Sequence, residues 1–428
     1  MISVAFQRAV KKKLTGGRIL TENVEMQIVA TLKKMWGKKM NLPDYIGPCA
    51  FGIKMGVILP GCNLPELILD ALKKVEYDGL LSDGDSICIT ESVLARAQNN
   101  FVTIAEVGEE IRKKLSLLPG QKIGVLFPIT SRNRFAMVLE GIARAVPQGE
   151  VLIQLSYPAD EVGNQLIPPD VAEELANKKG DYITPEDLGQ DYAHPLTGVN
   201  YIQLYADIVA GAGARPNIFL SNNPLNILKH DPHAVIAADI HTREKTRSRL
   251  TPHIDNCITL QEIFNDHRRE AWSEWGLLGS NMSTGSKIKL APREADSFAL
   301  DLQRIILAEV GKKVEVIIYG DGAYKDPSSG IYELADPLPA FGATPGVNNL
   351  RKGVKYKYLV DIYHEEGKSE KEILEILEKE VGKERTLDSI ETEGTTPRRM
   401  QDVLASLADL VSGSADAGTP LIIVKGIC

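Results

Sequence analysis

The chain has 428 residues, 43% hydrophobic and 25% charged, a composition that excludes disordered and fibrous proteins and predicts two or three globular domains. Lysine and arginine number 49 against 57 aspartate and glutamate residues, and the net charge of −8 disfavours a nucleic-acid-binding protein. Five cysteines without a CxxC pair, and no apolar run of about 18 residues, argue against a disulfide framework and a membrane span and favour a cytoplasmic protein.

Residues 1–46 read as a basic extension on an otherwise acidic chain. Within it, the apolar spacing of Val24–Trp36 predicts an amphipathic helix. Such a helix packs on the protein body or on a partner subunit, or its basic face contacts an anionic surface or ligand. The sequence leaves these alternatives open.

The rest of the chain predicts an α/β protein. Helical spacing over Leu64–Val75 precedes an apolar strand, Ser86–Thr90. Further apolar runs each end in a polar cluster and lead into helix-like stretches: Ile123–Ile129, Val151–Leu155, Ile218–Leu220, Ala234–Ala238 and Val314–Tyr319. Unbroken apolar strands alternating with helices predict a largely parallel, helix-covered sheet, with ligands bound at the carboxyl ends of its strands. A helix, Met400–Val411, and a strand, Leu421–Val424, close the sequence.

Two loops have compositions suited to binding charged ligands. Asp321 stands between two glycines at the end of a predicted strand. Because neither neighbour has a Cβ atom, the carboxylate can closely approach a metal ion or a phosphate. The alternative is a tight turn capped by Asp321. The small residues of Ser412–Gly418 leave backbone N–H groups for an anion, and Asp416 for a cation, although a flexible turn has the same composition.

Other candidate residues belong to short polar pairs. Asp239 and His241 offer two ligands for a metal ion, or a hydrogen-bonded strand end. Arg132 and Arg134, which flank Asn133, and the pair Arg398 and Arg399 are suited to bidentate binding of a carboxylate or phosphate, or to surface salt bridges.

Three separated segments together resemble the coenzyme F-420 gamma-glutamyl ligase family. They are Gly52–Gly61 with the region through Glu91–Ala97, the region from Gly279 to Asp321, and Met400–Gly426. The resemblance implies an enzyme that adds L-glutamate to a small carboxylic acid with GTP and Mg²⁺ or Mn²⁺, through an acyl phosphate. It also implies a homodimer. It divides the chain into the extension 1–46, a ligase-like core of 47–134 plus 271–428, and an inserted α/β segment, 135–270.

Carried over to matching positions, the resemblance assigns site residues. The implied nucleotide contacts are Met55, Gly56, Val57, Ile58, Ser92, Arg96, Asn281, Ser412, Gly413, Ser414, Ala415, Asp416, Ala417, Gly418 and Thr419. Asp321 would hold a metal ion, and Asp321 and Arg96 would serve catalysis. A rebuilt metal site would use Glu91, Asp326 or Asp416 as further ligands. Independently of the resemblance, the polar clusters make candidates for substrate binding of Arg132, Asn133, Arg134, Asp239, His241, Arg398 and Arg399.

Three departures from the family pattern affect the expected metal site. Leu278 stands where the family has an aspartate, Gly322 where it has a threonine, and Ser414 where it has a metal-binding amide. A non-catalytic protein that binds a nucleotide or an anionic metabolite is therefore the alternative. A metal-dependent phosphatase or sugar-phosphate enzyme that uses Asp239, His241 and Asp321 is a third possibility.

Overall fold

The computed structural model describes residues 46–189, 193, 198–321, 324–325, 332–333, 335–351, 355–380, 398–412 and 418–427. The predicted helix Val24–Trp36 lies outside these residues. In the part of the chain that is described, no helix combines the length and apolar character that crossing a lipid bilayer requires.

Strands and helices alternate along most of the described chain. The strands are β1 (Cys49–Ile53), β2 (Ser86–Thr90), β3 (Phe101–Thr103), β4 (Lys122–Leu126), β5 (Glu150–Leu155), β6 (Arg215–Leu220), β7 (Ala234–Ala237), β8 (Cys257–Thr259), β9 (Asn281–Met282), β10 (Lys287–Lys289), β11 (Glu315–Tyr319), β12 (Tyr324–Lys325), β13 (Tyr332–Glu333), β14 (Ala340–Ala343), β15 (Leu350–Arg351), β16 (Arg398–Arg399) and β17 (Leu421–Lys425).

The α-helices pack mainly on the two larger sheets. They are α1 (Leu64–Tyr77), α2 (Glu91–Ala97), α3 (Ile104–Lys114), α4 (Ala136–Ala145), α5 (Pro169–Lys179), α6 (Pro185–Leu188), α7 (Tyr201–Gly211), α8 (Arg243–Leu250), α9 (Ala295–Val310), α10 (Tyr356–Glu365), α11 (Glu370–Glu380) and α12 (Met400–Ser412). Short 3-10 helices occupy Pro224–His230, Leu260–Glu262 and Pro345–Val347.

The first large sheet has the strand order β1-β17-β2-β11-β14 and is mixed. Only β2 and β11 are parallel, while the other neighbouring pairs are antiparallel. Alternate side chains of β2 enter different cores: Ile87 and Ile89 pack with residues of α1 and α9, and Cys88 packs with residues of α12. The sheet therefore has helices on both faces, as predicted, but the expectation that it is largely parallel is wrong.

The second large sheet, β6-β5-β4-β7-β8, is parallel throughout. It confirms the predicted α/β class, and the polar clusters after β4, β5, β6 and β7 lie at its carboxyl edge. The β11 cluster does not, because β11 belongs to the mixed sheet. β4 lies in the middle, so the strand order reverses between β4 and β7, where open parallel sheets usually bind ligands. The sheet includes β4, which precedes residue 135; the division at 135 and 270 stays a prediction.

A small three-stranded sheet, β3-β10-β9, lies between these parts of the chain. The buried Asn100 side chain stabilises the junction, since its amide donates hydrogen bonds of 2.8 Å to the carbonyls of Trp272 and Ala291. This arrangement fixes β10. Its last residue, Lys289, pairs with Glu91, which directly follows β2 of the mixed sheet.

Candidate active site

The candidate site begins where β11 ends. Gly320 follows the strand, and a Cβ atom built on it would lie 2.5 Å from Asp336 Oδ2 and 2.7 Å from a ring carbon of Phe341. Glycine is therefore required for the close approach of Asp336. The same carboxylate oxygen accepts a 2.9 Å hydrogen bond from the backbone N–H of Asp321. These contacts bring two aspartates together at the end of one strand.

The guanidinium group of Arg134 bridges the two aspartates. Its Nη1 donates to Asp336 Oδ1 at 2.7 Å, and its Nη2 donates to Asp321 Oδ2. The Arg134 side chain is 17% exposed, that of Asp321 24% and that of Asp336 2%. Arg134 lies in the loop after β4, so this ion-pair cluster joins the parallel sheet to the mixed sheet.

A second ion pair is buried beside the first. Glu91, the first residue of α2, accepts two hydrogen bonds of 2.8 Å from Lys289 Nζ, and both side chains are under 10% exposed. Lys289 pairs with Asn281 across β10 and β9. Burial raises the pKa of Glu91, and the Lys289 ammonium opposes this effect.

The charges of Asp336, Glu91 and Arg134 all act on the carboxyl group of Asp321. Burial raises the pKa of Asp321 to about 7, and the negative charges of Asp336 and Glu91 act in the same direction. The Arg134 guanidinium opposes the shift. Asp321 is therefore positioned to exchange a proton near neutral pH.

We expect Asp321 to make the protein less stable as the pH rises. Since its pKa is 3.8 in an ordinary setting and about 7 here, the folded state holds its proton more tightly than the unfolded state. This contribution to stability is complete below pH 3.8 and is lost as the pH rises through 7. Asp321→Asn should melt several degrees above the wild type at pH 8, and the difference should shrink at pH 5.

The control for that measurement is Asp301→Asn, because Asp301 is largely exposed and pairs only with the exposed Arg304 among the described residues. It should show no comparable pH-dependent difference. Equal differences for Asp321→Asn at pH 5 and pH 8 would contradict the raised pKa.

The first two segments predicted to bind the nucleotide, around Ile58 and around Arg96, contact each other. Arg96 Nε donates a 2.9 Å hydrogen bond to the carbonyl of Ile58, and the carbonyl of Arg96 accepts one from the N–H of Gly61. The loop before α1 is thereby attached to α2, which begins at Glu91. Ile58 is buried, Met55 and Ser92 are half-buried, and Gly56, Val57 and Arg96 are exposed.

Thr419 and Pro420, at the end of the last segment predicted to bind the nucleotide, contact the ends of β1 and β2. A Cβ atom on Gly52 would lie 2.7 Å from Cβ of Thr419, and the N–H of Thr90 donates to the carbonyl of Pro420. Ser412 Oγ donates to the backbone carbonyl of Asp409 on the preceding turn of α12. Gly413, Ser414, Ala415, Asp416 and Ala417 lie outside the described residues. Their predicted nucleotide contacts stay predictions.

Asp239 and His241 follow β7 of the parallel sheet, whereas Asp321 follows β11 of the mixed sheet. Asp239 Oδ2 accepts hydrogen bonds from Thr242 and Thr246 of the α8 region, and Glu161 accepts from the backbone N–H groups of residues 240–242. This is the hydrogen-bonded strand end that the sequence left open. His241 is exposed. The arrangement offers nothing specific in favour of a phosphatase.

Arg132 and Arg134 have different surroundings, although they are two residues apart. Arg132 and Asn133 are exposed, whereas Arg134 is held by the two aspartates. Arg398 and Arg399 form β16, which pairs with β15, and Arg399 is exposed. Their predicted role in binding substrate acids stays a prediction.

The described residues do not fit a protein-held metal ion. Among them, no three His, Cys, Asp or Glu side chains are grouped to bind a metal. Leu278, at the position where the family pattern has an aspartate, is buried and lines an apolar cavity that also touches Arg134. Glu91 and Asp321 are paired with Lys289 and Arg134. Gly322 and Asp326 lie outside the described residues.

The sequence predicts no role for three residues of this site: Asp336, Asp409 and Lys289. Asp336 is an isolated acid outside any recognisable motif. Asp409 lies within the predicted helix Met400–Val411 and acts on Asp321 electrostatically. Lys289 lies within a segment of the family resemblance, and its position in a short, partly apolar strand was the available signal. The ion-pair partners of Asp336 and Lys289 are remote in sequence.

Comparison with known proteins gives one family. A family model described as F420-0:Gamma-glutamyl ligase matches residues 52–426. A search of curated proteins gives no match. The matched range includes the parallel sheet, the mixed sheet except for the first residues of β1, and the site that contains Glu91 and Asp321.

Proposed function

Because the chain belongs to the F420-0:gamma-glutamyl ligase family, we propose that it is an amide ligase that adds L-glutamate to a small carboxylic acid with GTP. The match over residues 52–426 is the observation that carries this proposal. The acceptor is F-420-0 or another acid of similar size and charge. We propose a cytoplasmic homodimer.

The proposed reaction has two steps. A carboxylate oxygen of the acceptor attacks the γ-phosphorus of GTP, GDP leaves, and an acyl phosphate forms. The amino group of glutamate then attacks the acyl carbon, and phosphate leaves as the amide bond forms. Positioning and cationic groups are the main means of catalysis in phosphoryl transfer.

The chain's own residues have separate roles in this scheme. Arg96, whose Nε is held by the Ile58 carbonyl, presents its terminal N–H groups to a phosphate. Residues 412–419 are the predicted contacts of the nucleotide, which enters as substrate with its own Mg²⁺ or Mn²⁺. Asp321 accepts the proton that the glutamate amino group loses, since its pKa of about 7 suits a general base.

We expect phosphate release and a product heavier by one glutamyl residue when the protein is given GTP, Mg²⁺, L-glutamate and a suitable acid. Mass spectrometry over a panel of acids, including F-420-0 and folates, identifies the acceptor. Asp321→Asn should slow turnover roughly 100-fold or more, because it removes the general base. It should still be stabilised by GTP in a thermal shift assay.

The second candidate function is nucleotide or anionic-metabolite binding without catalysis. The buried Leu278 favours it, because an apolar side chain stands where the family pattern has a carboxylate. Thermal stabilisation by GTP that is the same with and without Mg²⁺, and no phosphate release with any acid, would select this function over the ligase.

A further inference from the structure

Arg134 lies between two carboxylates and pairs with both of them. Asp321 and Asp336 each give one oxygen to its guanidinium group, and the second oxygen of Asp336 accepts the N–H of Asp321. Among the described residues, three of the four carboxylate oxygens therefore have a protein partner. Arginine keeps its charge at every physiological pH, and here its pKa is raised further by Asp336 and Asp321 against the effect of burial.

The surroundings of Arg134 fix it in this position. The backbone N–H of Arg134 donates to Ser131 Oγ at 3.1 Å, which orders the loop after β4. Leu278 and Ala335 line an apolar cavity of about 20 Å³ beside the guanidinium group, with room for about one water molecule. A large displacement of the guanidinium group would leave Asp336, at 2% exposure, buried without its cation.

We propose that Arg134 is the resident cation of the Asp321–Asp336 pair, so that the protein binds no divalent ion between these carboxylates while Arg134 is in place. A second cation at the same oxygens would meet the fixed positive charge in a poorly solvated site. Leu278 agrees with this assignment, because it places a buried apolar side chain beside Arg134 and adds no oxygen ligand there. The proposal deepens the proposed function by defining how this site is charged.

The test uses Mn²⁺ alone, without nucleotide, so its result does not depend on turnover. Electron paramagnetic resonance measures free Mn²⁺ with the full-length wild type, Asp321→Asn, Arg134→Gln and the double variant. Arg134→Gln keeps hydrogen-bond donors but removes the charge. We expect Asp321→Asn to leave Mn²⁺ binding by the wild type unchanged, and Arg134→Gln to bind Mn²⁺ at least tenfold more tightly. The double variant should lose that gain.

Two results would overturn the proposal. One is Mn²⁺ binding by the wild type that Asp321→Asn weakens tenfold, since Asp321 would then be a metal ligand with Arg134 present. The other is a folded Arg134→Gln, verified by circular dichroism, that gains no Mn²⁺ affinity. Should Arg134→Gln not fold, the comparison of wild type with Asp321→Asn decides the proposal alone. A ligase assay that fails while these Mn²⁺ results hold would remove the proposed function and leave Arg134's role intact.

Discussion

Lys289→Met is expected to lower the free energy of unfolding by about 3–5 kcal/mol, because it leaves the Glu91 carboxylate buried without its cation. Methionine fills nearly the same volume, so little of the loss comes from packing. Urea denaturation at pH 8 measures the change. At pH 5 the loss should be smaller, since the raised pKa of Glu91 lets an unpaired carboxylate become neutral at lower cost.

Two controls separate burial of charge from other effects. Arg304→Ala removes a cation from Asp301, but both side chains are more than 60% exposed, so the change should stay below about 1 kcal/mol. The double variant Glu91→Leu/Lys289→Met removes both charges and should recover most of the stability lost in Lys289→Met. A loss below 1 kcal/mol for Lys289→Met at pH 8 would show that water reaches Glu91.

Gly320→Ala is expected to cost about 1–3 kcal/mol and to disorganise the cluster around Arg134. The new methyl group would lie 2.5 Å from Asp336 Oδ2 and 2.7 Å from the Phe341 ring, so one of these side chains must move. Movement of Asp336 breaks its hydrogen bond with the N–H of Asp321 and its ion pair with Arg134. Thermal denaturation measures the loss, and a crystal structure of the variant shows which contact breaks.

Gly211→Ala is the matched control for Gly320→Ala. Gly211 is the last residue of α7, and a Cβ atom there has no neighbour within 4 Å. Alanine is the better helix former, so the variant should be as stable as the wild type or slightly more stable. If both variants melt with the wild type, Asp336 is free to shift and does not hold Asp321 in place.

Local patterns predicted much of the secondary structure. The apolar run Ser86–Thr90 forms β2 over the same residues, and the helical spacing from Leu64 begins α1 at that residue. The Met400 helix and the Leu421 strand begin at the predicted residues, and each extends one residue further than predicted. These features depend on the alternation of side chains over a few turns or strand residues, which a sequence displays directly.

The candidate site was predicted less completely, although the end of β11 was correctly singled out as polar. Asp321 was interpreted as a metal ligand and Arg134 as half of a substrate clamp. The structure makes them partners of each other, 187 positions apart in sequence. Glu91 and Lys289 are 198 positions apart, and Lys289 had no predicted role. No local pattern contains such pairs, because each belongs to a different strand end or loop.

The amino-acid sequence by itself determined the α/β class, the family segments and the polar ends of five apolar strands, since these follow from side-chain periodicity and short motifs. Only the tertiary structure decided which strands share a sheet: β11 pairs with β2 and β14 instead of joining the parallel strands. Strand pairing and buried ion pairs are chosen by the packing of the whole chain, where a charged group must find a partner whatever its distance in sequence. For this reason the charged partners of Asp321, which are Arg134 and Asp336, could be identified only from the tertiary structure.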